Sequence, residues 1–526
     1  MKPTHVLEET RIRRSFVCLC VHSWLSCFLL SWLLAGSARA ETSVLWGRAG
    51  EFWSPQSRLP DFSHAGYHGG EAPLPVLPPG VSVKEFGARG DGVTDDTEAF
   101  QQALAKAPRG AIEVPPGRYV IRRILSINRP GMVLRGAGPD KTTLYCITTL
   151  QDVKPNWGSI TEGRRVSEYS WSGGFLWFDG NYHSWDLANV ITEARRGDNR
   201  LRVSATNHLS VGRRVVLTLT EKNSDSHALA DELYSGDPGD IRNLHGDTHA
   251  NFVCHVVKIE GNEITLDRPL RWNLKNTWLT RVRAFDPSVT DSGVENLAVE
   301  FPRTPYPGHF REMGRNAVAM GDVADCWVRN LLITNADSGF FPNGNFCTFQ
   351  DIILASARPV DPVSGCQGHH GIDFAGNDNY YTGFDYREKF IHDISVEHSA
   401  CGNVIARGRG VDLCFDHHVC SPNENLFTDI DAGAGTRLWY CGGGSGLGKK
   451  SGARETFWNI RANRAQNWPP EDFGPQSMNL VAVQPAGPSE ASLNGRWWEA
   501  IAPDRIRPPN LYQAQLARRL HPLTGN

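Results

Sequence analysis

The chain has 526 residues, with 54 basic and 57 acidic side chains and a net charge of -3. That near balance excludes a surface built to coat a polyanion, so no nucleic-acid partner is expected. The length also exceeds the roughly 250–300 residues at which one compact core stops growing, unless the core is a solenoid of stacked repeats.

The first 40 residues read as a targeting segment. Arg11, Arg13 and Arg14 precede an apolar run from Phe16 to Leu34, and Ala38-Arg39-Ala40 forms a small-x-small cleavage site. Removal after Ala40 predicts a secreted or periplasmic protein with no membrane contact after cleavage; an uncleaved anchor is the alternative. Cys18, Cys20 and Cys27 lie in this segment, and the 9 remaining cysteines show no zinc-type spacing. Cys414 and Cys420 are the nearest candidates for a disulfide. Residues 41–80 are rich in Gly, Pro and aromatics and read as an extended strap, with His64 and His68 as strap contacts rather than ligands.

Residues 81–144 change character. Gly87, Gly90 and Gly92 mark a turn. Asp95 stands at an N-cap position with Glu98 three residues on. Ala99, Phe100, Ala103, Leu104 and Ala107 follow at helical spacing, and Pro108-Arg109-Gly110 stops the helix. Short apolar strokes come next, each closed by Pro or Gly: Ile112–Val114, Tyr119–Ile121, Ile124–Ile127 and Met132–Leu134.

The stretch FGARGDGVTDDTEAFQQAL, with VPPGRYVI and LRGAGPDKTTL after it, resembles the opening of the pectate lyase superfamily. The resemblance implies an all-β fold, a right-handed parallel β-helix, in which this helix caps the N-terminal end of the coil. It implies no particular chemistry, because the fold carries lyases, hydrolases, epimerases and tailspikes.

Residues 145–285 read as elaborated early coils or a β insertion, with alternating strands in RLRVSATNHLSVGRRVVLTLT and CHVVKIEGNEITLDRPL. Between them, Asp237, Asp240, His245, Asp247 and His249 lie in a long polar loop suited to clamping substrate or holding calcium. Residues 286–485 carry a repeat of apolar, any, Asn or Asp, then Leu or Ile. Its third positions are Asn296, Asn330, Asp351, Asp393, Asp429 and Asn459, at intervals of 34, 21, 42, 36 and 30 residues. Constant strands with variable loops produce such a pattern, and the Asn and Asp side chains suit stacked turns. Residues 486–526 close the coil, with Asn510 capping a helix in LYQAQLARRL and Trp497 and Trp498 beneath it.

The longest intervals hold the titratable residues. They contribute His369, His370 and Asp373; then Arg407, Arg409, Asp412, Asp416, His417 and His418; then Arg437, Trp439, Tyr440 and Lys449. Successive turns of a coil stack about 5 Å apart, so these sets should share one face as an active groove. Strand alternation allows only one histidine of each adjacent pair to point outward. His369, His370, Asp373, Asp412, Asp416, His417 and His418 are the candidate catalytic groups. The arginines, Trp439, Tyr440 and Lys449 are the candidate substrate contacts.

Two reactions suit such a groove. A uronate lyase needs a positive group at the C6 carboxylate, a base for the C5 proton and an acid for the leaving oxygen, with His370, His417 or Lys449 as base. A glycosidase needs two carboxyl groups, about 6.5–9.5 Å apart if inverting, from Asp373, Asp412 and Asp416. The basic and histidine content favours a lyase on an acidic polysaccharide. The inverting hydrolase and a non-catalytic carbohydrate-binding β-helix are the alternatives. No cofactor is expected. Calcium has no supporting motif, and nothing sets an oligomeric state.

Overall fold

A computed structural model describes residues 40–160, 163–244 and 248–521. The expected leader, Ala40 apart, lies outside the described residues, as do His245 and Asp247. The residues from Thr42 on form one compact unit.

The architecture is a right-handed parallel β-helix. From Asn316 to Asp431 the chain alternates between two parallel sheets. One sheet stacks Leu125–Ile127, Leu176–Asp179, Asn316–Ala324, Ser338–Asn345, Gly368–Phe374, Phe390–Val396 and Phe415–His417. The other runs through Gly110–Val114, Met132–Gly136, Gly293–Glu300, Trp327–Thr334, Thr348–Ala355, Val404–Gly410, Leu426–Asp431, Thr456–Arg461 and Asn479–Val483.

Register explains why the strands stack. In the first sheet Leu125, Leu176, Val318, Phe340, Ile372, Ile394 and Phe415 fall opposite one another and point inward. In the second, Val328, Phe349, Tyr381, Ile405, Phe427, Phe457 and Leu480 do the same. Burying a large apolar side chain stabilises by about 1.5–3 kcal/mol, so these two columns hold the coil together.

The repeat has a backbone cause. Asn296, Asn330, Asp351, Asp429 and Asn459 all adopt left-handed φ between 52° and 59° and are left out of the strand pairing. Asn and Asp tolerate that region better than other non-glycine residues. Asn330 donates to Asn296 at 2.7 Å along this column. Gly383 and Arg407 occupy the same column, with φ of 69° and 50°. Asp393 does not belong to it: it sits on the other sheet and accepts from the Phe390 and Cys414 amides. A deeper column, missed in the sequence, runs through buried Asn379, Asn403 and Asn425 to Glu455, with side-chain bonds of 3.0, 3.0 and 2.7 Å.

The helix Thr97–Lys106 buries Ala99, Phe100, Ala103 and Leu104. Its N-cap is Asp96, one residue later than expected; the Asp96 carboxylate receives the Arg89 and Gly90 amides and so makes no side-chain cap, and Asp95 accepts from Thr97. Glu98 makes no capping box and pairs with Gln102 and Arg123.

Residues Asp186–Ala284 leave the coil as a six-stranded antiparallel sheet with its own core. Its Arg268 and Arg271 both reach the buried Asp378 carboxylate on the coil. Asp237, in the expected clamp loop, is 2.7 Å from Lys449.

The strap lies on the outer face of the second sheet. Ser43 bonds Glu499, Arg58 bonds Asn479, Gly66 bonds Asp378 and Tyr67 bonds Thr348. The helix Leu511–Leu520, capped by Asn510 at 3.0 Å, covers the same flank and shares a core with Trp46, Phe62, Val404, Leu426 and Trp458. Among the described residues all 9 cysteines are free. The Cys414–Cys420 pairing is therefore not formed: buried Cys414 is held by Asp393 and Ile391 instead.

Candidate active face

Three neighbouring strands of the first sheet, Gly368–Phe374, Phe390–Val396 and Phe415–His417, bring the histidines together. His370 is directly opposite His392, and Ser395 is opposite Asp416. Ring centroids are 4.1 Å apart for His369 and His370, 5.0 Å for His370 and His392, and 5.1 Å for His392 and His418. A fifth ring, His309, comes from the irregular segment before Asn316 and lies 4.7 Å from His369. Tyr440 stacks on His392 at 6.1 Å and is half exposed.

Both histidines of the first pair join the cluster, against strand alternation. They sit at the strand's entry, where His369 turns toward His309 and Phe310 while His370 turns toward Phe341. The second pair does alternate. His418 faces the cluster, whereas His417 points inward among Phe427, Phe457 and Phe473.

Asp416 organises the centre. Its Oδ2 lies 2.9 Å from Nδ1 of His418 and accepts from Ser395 at 2.8 Å, and its Oδ1 accepts from the Gly442 amide at 2.7 Å. Burial works against the charge of Asp416, but His392, His418 and that amide hold its carboxyl well below the usual range. Burial likewise opposes charge on His418; the Asp416 carboxylate outweighs it and raises the imidazole to about 9. Burial pushes His369 and His370 well below the ordinary histidine value, helped by the neighbouring rings. His392 is pushed down to about 4 by burial despite Asp416. Asp373 is buried and pushed well above its normal value, with Glu397 adding to the effect.

Several polar atoms here lack partners. Nδ1 of His369, His370 and His392, Oδ1 of Asp373 and Oε2 of Glu312 are all buried without a hydrogen bond. Such orphans cost about 1–3 kcal/mol each and call for an explanation.

The remaining expected residues lie elsewhere or serve packing. Asp412 is fully used by the Thr436 amide and hydroxyl at 2.9 and 2.6 Å. Trp439 packs on Phe457 and Phe473 and donates to Asn467. Arg437 sits at the edge of the cluster, 2.5 Å from Asp393 and 6.0 Å from the Tyr440 ring centre. Lys449 is tied to Asp237 by the loop that folds over the glycine run. Arg407 and Arg409 belong to the second sheet and line a separate cleft with Asp385, Asp429 and Arg461. The single groove of three stacked sets is therefore corrected in part: the first two long intervals each visit both sheets, so their first-sheet residues gather with Arg437 and Tyr440, while Arg407 and Arg409 lie on the other face.

His392, His309 and Glu312 were missed. His392 stood inside the pattern read as structural, although His370, His392 and His418 are 22 and 26 residues apart, the spacing of one turn. His309 lies in a stretch without periodicity.

Residues 80–154 match the family described as rhamnogalacturonase A/epimerase, pectate lyase-like. The resemblance to the pectate lyase superfamily is thereby shown for that stretch. The chain is also 30% identical over 139 residues to the pre-neck appendage protein of Bacillus phage B103, covering 26% of this chain and 15% of that protein. This chain thus spans less than a sixth of that relative. Among solved structures, the tailspike gp49 of Pseudomonas phage LKA1 aligns over 77% of this chain and 67% of its own, at 15% identity and a TM-score of 0.44. The family 28 exopolygalacturonase of Yersinia enterocolitica aligns over 82% and 79%, at 12% identity and a TM-score of 0.27.

Proposed function

We propose that this chain is an enzyme that acts on an acidic polysaccharide by β-elimination at the histidine face. One observation carries the reading. The carboxylates Asp373 and Asp416 are buried beneath the imidazoles, while Tyr440 is half exposed and His418 partly so. A glycosidase needs two carboxyl groups flanking the scissile bond, and here neither candidate reaches the surface. Elimination needs a positive group beside a uronate carboxylate and a residue to move the C5 proton.

His418, paired with Asp416, supplies the positive group, and the exposed Arg164 near His309 and Phe310 adds a second at the rim. Tyr440 is placed to move the proton. On one face of the sugar its phenolate form can take the C5 proton and then, as phenol, give that proton to the oxygen leaving C4 as the C4–C5 double bond forms. Burial raises the Tyr440 phenol above its ordinary value, and the Arg437 guanidinium near its ring works against that rise.

The test is incubation of the full chain with a panel of uronate polymers, following ultraviolet absorbance of the C4–C5 double bond. The expected result is an absorbing product with at least one polymer and none with Tyr440→Phe. New reducing ends without that absorbance would assign hydrolysis instead. Retained polymer with no product would make the face a binding surface.

A further inference from the structure

We infer that His309, His369 and His392 form a site for one divalent first-row transition-metal ion, with zinc as the simplest occupant. Each offers a ring nitrogen, and the three atoms lie within 4.8 Å of one another. Two of the rings stand on adjacent strands of the coil and are 2% exposed, so their backbone positions are rigid. The third stands on an exposed segment and can swing.

The surroundings of the rings carry the argument further. Nδ1 of His369 lies 3.4 Å from Oε1 of Glu312, and Nδ1 of His392 lies 3.2 Å from Oδ2 of Asp416. Neither contact has hydrogen-bond geometry, so both nitrogens are buried and unpartnered. A slight ring movement onto a bound ion would turn each contact into an N–H donation to the carboxylate, and that bond fixes the tautomer in which the opposite nitrogen binds a metal. Two of the three histidines have this arrangement. Glu312 is otherwise unexplained: it is 1% exposed, takes a bond from Tyr306, and leaves its other oxygen orphaned.

Zinc–imidazole bonds of about 2.0–2.1 Å bring ligand nitrogens to roughly 3.4 Å from each other, so the three rings would draw in from within 4.8 Å around a bound ion. Imidazole donors select zinc and its neighbours over calcium or magnesium, which want oxygen. An alternative set, His392, Asp416 and His418, also clusters. Asp416 already serves Ser395, Gly442 and His418, so the three-histidine set is the better supplied with free ligand atoms. Three protein ligands leave a fourth position open, the arrangement of catalytic rather than structural zinc.

The inference does not depend on the reaction proposed above, and its test reads binding directly. The full-length chain is stripped with chelator, then titrated with Zn²⁺ by calorimetry and with Co²⁺ by visible absorption. One equivalent per chain is expected, with the intense absorption of four-coordinate cobalt. Glu312→Gln should weaken binding roughly 10–100-fold by releasing His369. His309→Ala should weaken it by more than that and, at an exposed position, should leave the circular dichroism spectrum and thermal midpoint unchanged. His255→Ala, at a surface pair with Asp267, should change nothing. Absence of stoichiometric zinc, binding of calcium alone, or full affinity in His309→Ala would each overturn the assignment.

Discussion

On the outer face of the second sheet, Arg409 reaches Asp385 at 2.9 Å, Arg387 reaches the same carboxylate, and Arg461 reaches Asp429 at 3.1 Å. On the outer face of the first sheet, four buried or half-buried histidines crowd around Asp416 and several of their ring nitrogens bond to nothing. Both faces are dense in charged and titratable residues, and in the sequence they look alike. The first set is partly to fully exposed and mutually satisfied, so it contributes little: surface pairs are worth about 0–1 kcal/mol. The second is buried and under-satisfied, a costly state that persists where a ligand or a reaction uses it. Residue type marks candidates; partner accounting separates them.

The comparison breaks most clearly by mutation of both faces in one assay. His418→Ala and Tyr440→Phe should each lower turnover of a uronate polymer by about 10²–10⁴, the usual contribution of a positioned proton-transfer or charge-bearing group. Arg409→Ala should leave the rate within about twofold. Equal losses on both faces would erase the distinction.

Stability should divide the molecule differently. Asp378→Ala strands two buried guanidiniums, Arg268 and Arg271, and should cost about 3–5 kcal/mol in denaturant unfolding. The two asparagine columns sharpen the point. Asn403→Ala opens the buried ladder and leaves Asn379 and Asn425 without one partner each, at about 1–3 kcal/mol. Asn330→Ala lies in the outer column and should cost about 1 kcal/mol through its left-handed φ of 52°, a loss that Asn330→Gly should largely avoid.

A smaller effect concerns pH. Burial raises the carboxyl of Glu388 to about 8, against the pull of Arg358. The folded chain then holds a proton that the unfolded chain releases near 4.5, so stability falls as pH rises from about 5 through 8. Glu388→Gln should flatten that slope in thermal midpoints measured across this range. An unchanged slope would mean that Glu388 is ionised in the fold.

Much of the fold was legible because a coil writes itself into its sequence. The glycine turn, the helix after it and the apolar strokes of residues 81–144 all follow local rules, and the Asn and Asp repeat marks real left-handed corners. Asp393 shows the limit. A chain that alternates between two sheets can present the same four-residue pattern on either, and only pairing reveals which. The face of the histidines was legible in part for the same reason. His369, His370, Asp373, Asp416, His418 and Tyr440 do gather, but Arg407 is a corner, Asp412 a turn acceptor and His417 a core residue. His309 reaches the cluster from 60 positions before His369, and no local period announces such a contact.

A stack in which every turn touches only its neighbours can fray from an open end, one turn at a time. Here Phe62 and Pro60 share bonds with Gln515, Ala65 with Tyr512, and Ser63 with Arg519. The beginning and the end of the described chain are thus knotted by hydrogen bonds across many turns at once. Peeling the last turn requires releasing the first segment too, so this coil should come apart as one body, and a single protease cut near Ser63 should turn that abrupt transition into a graded one.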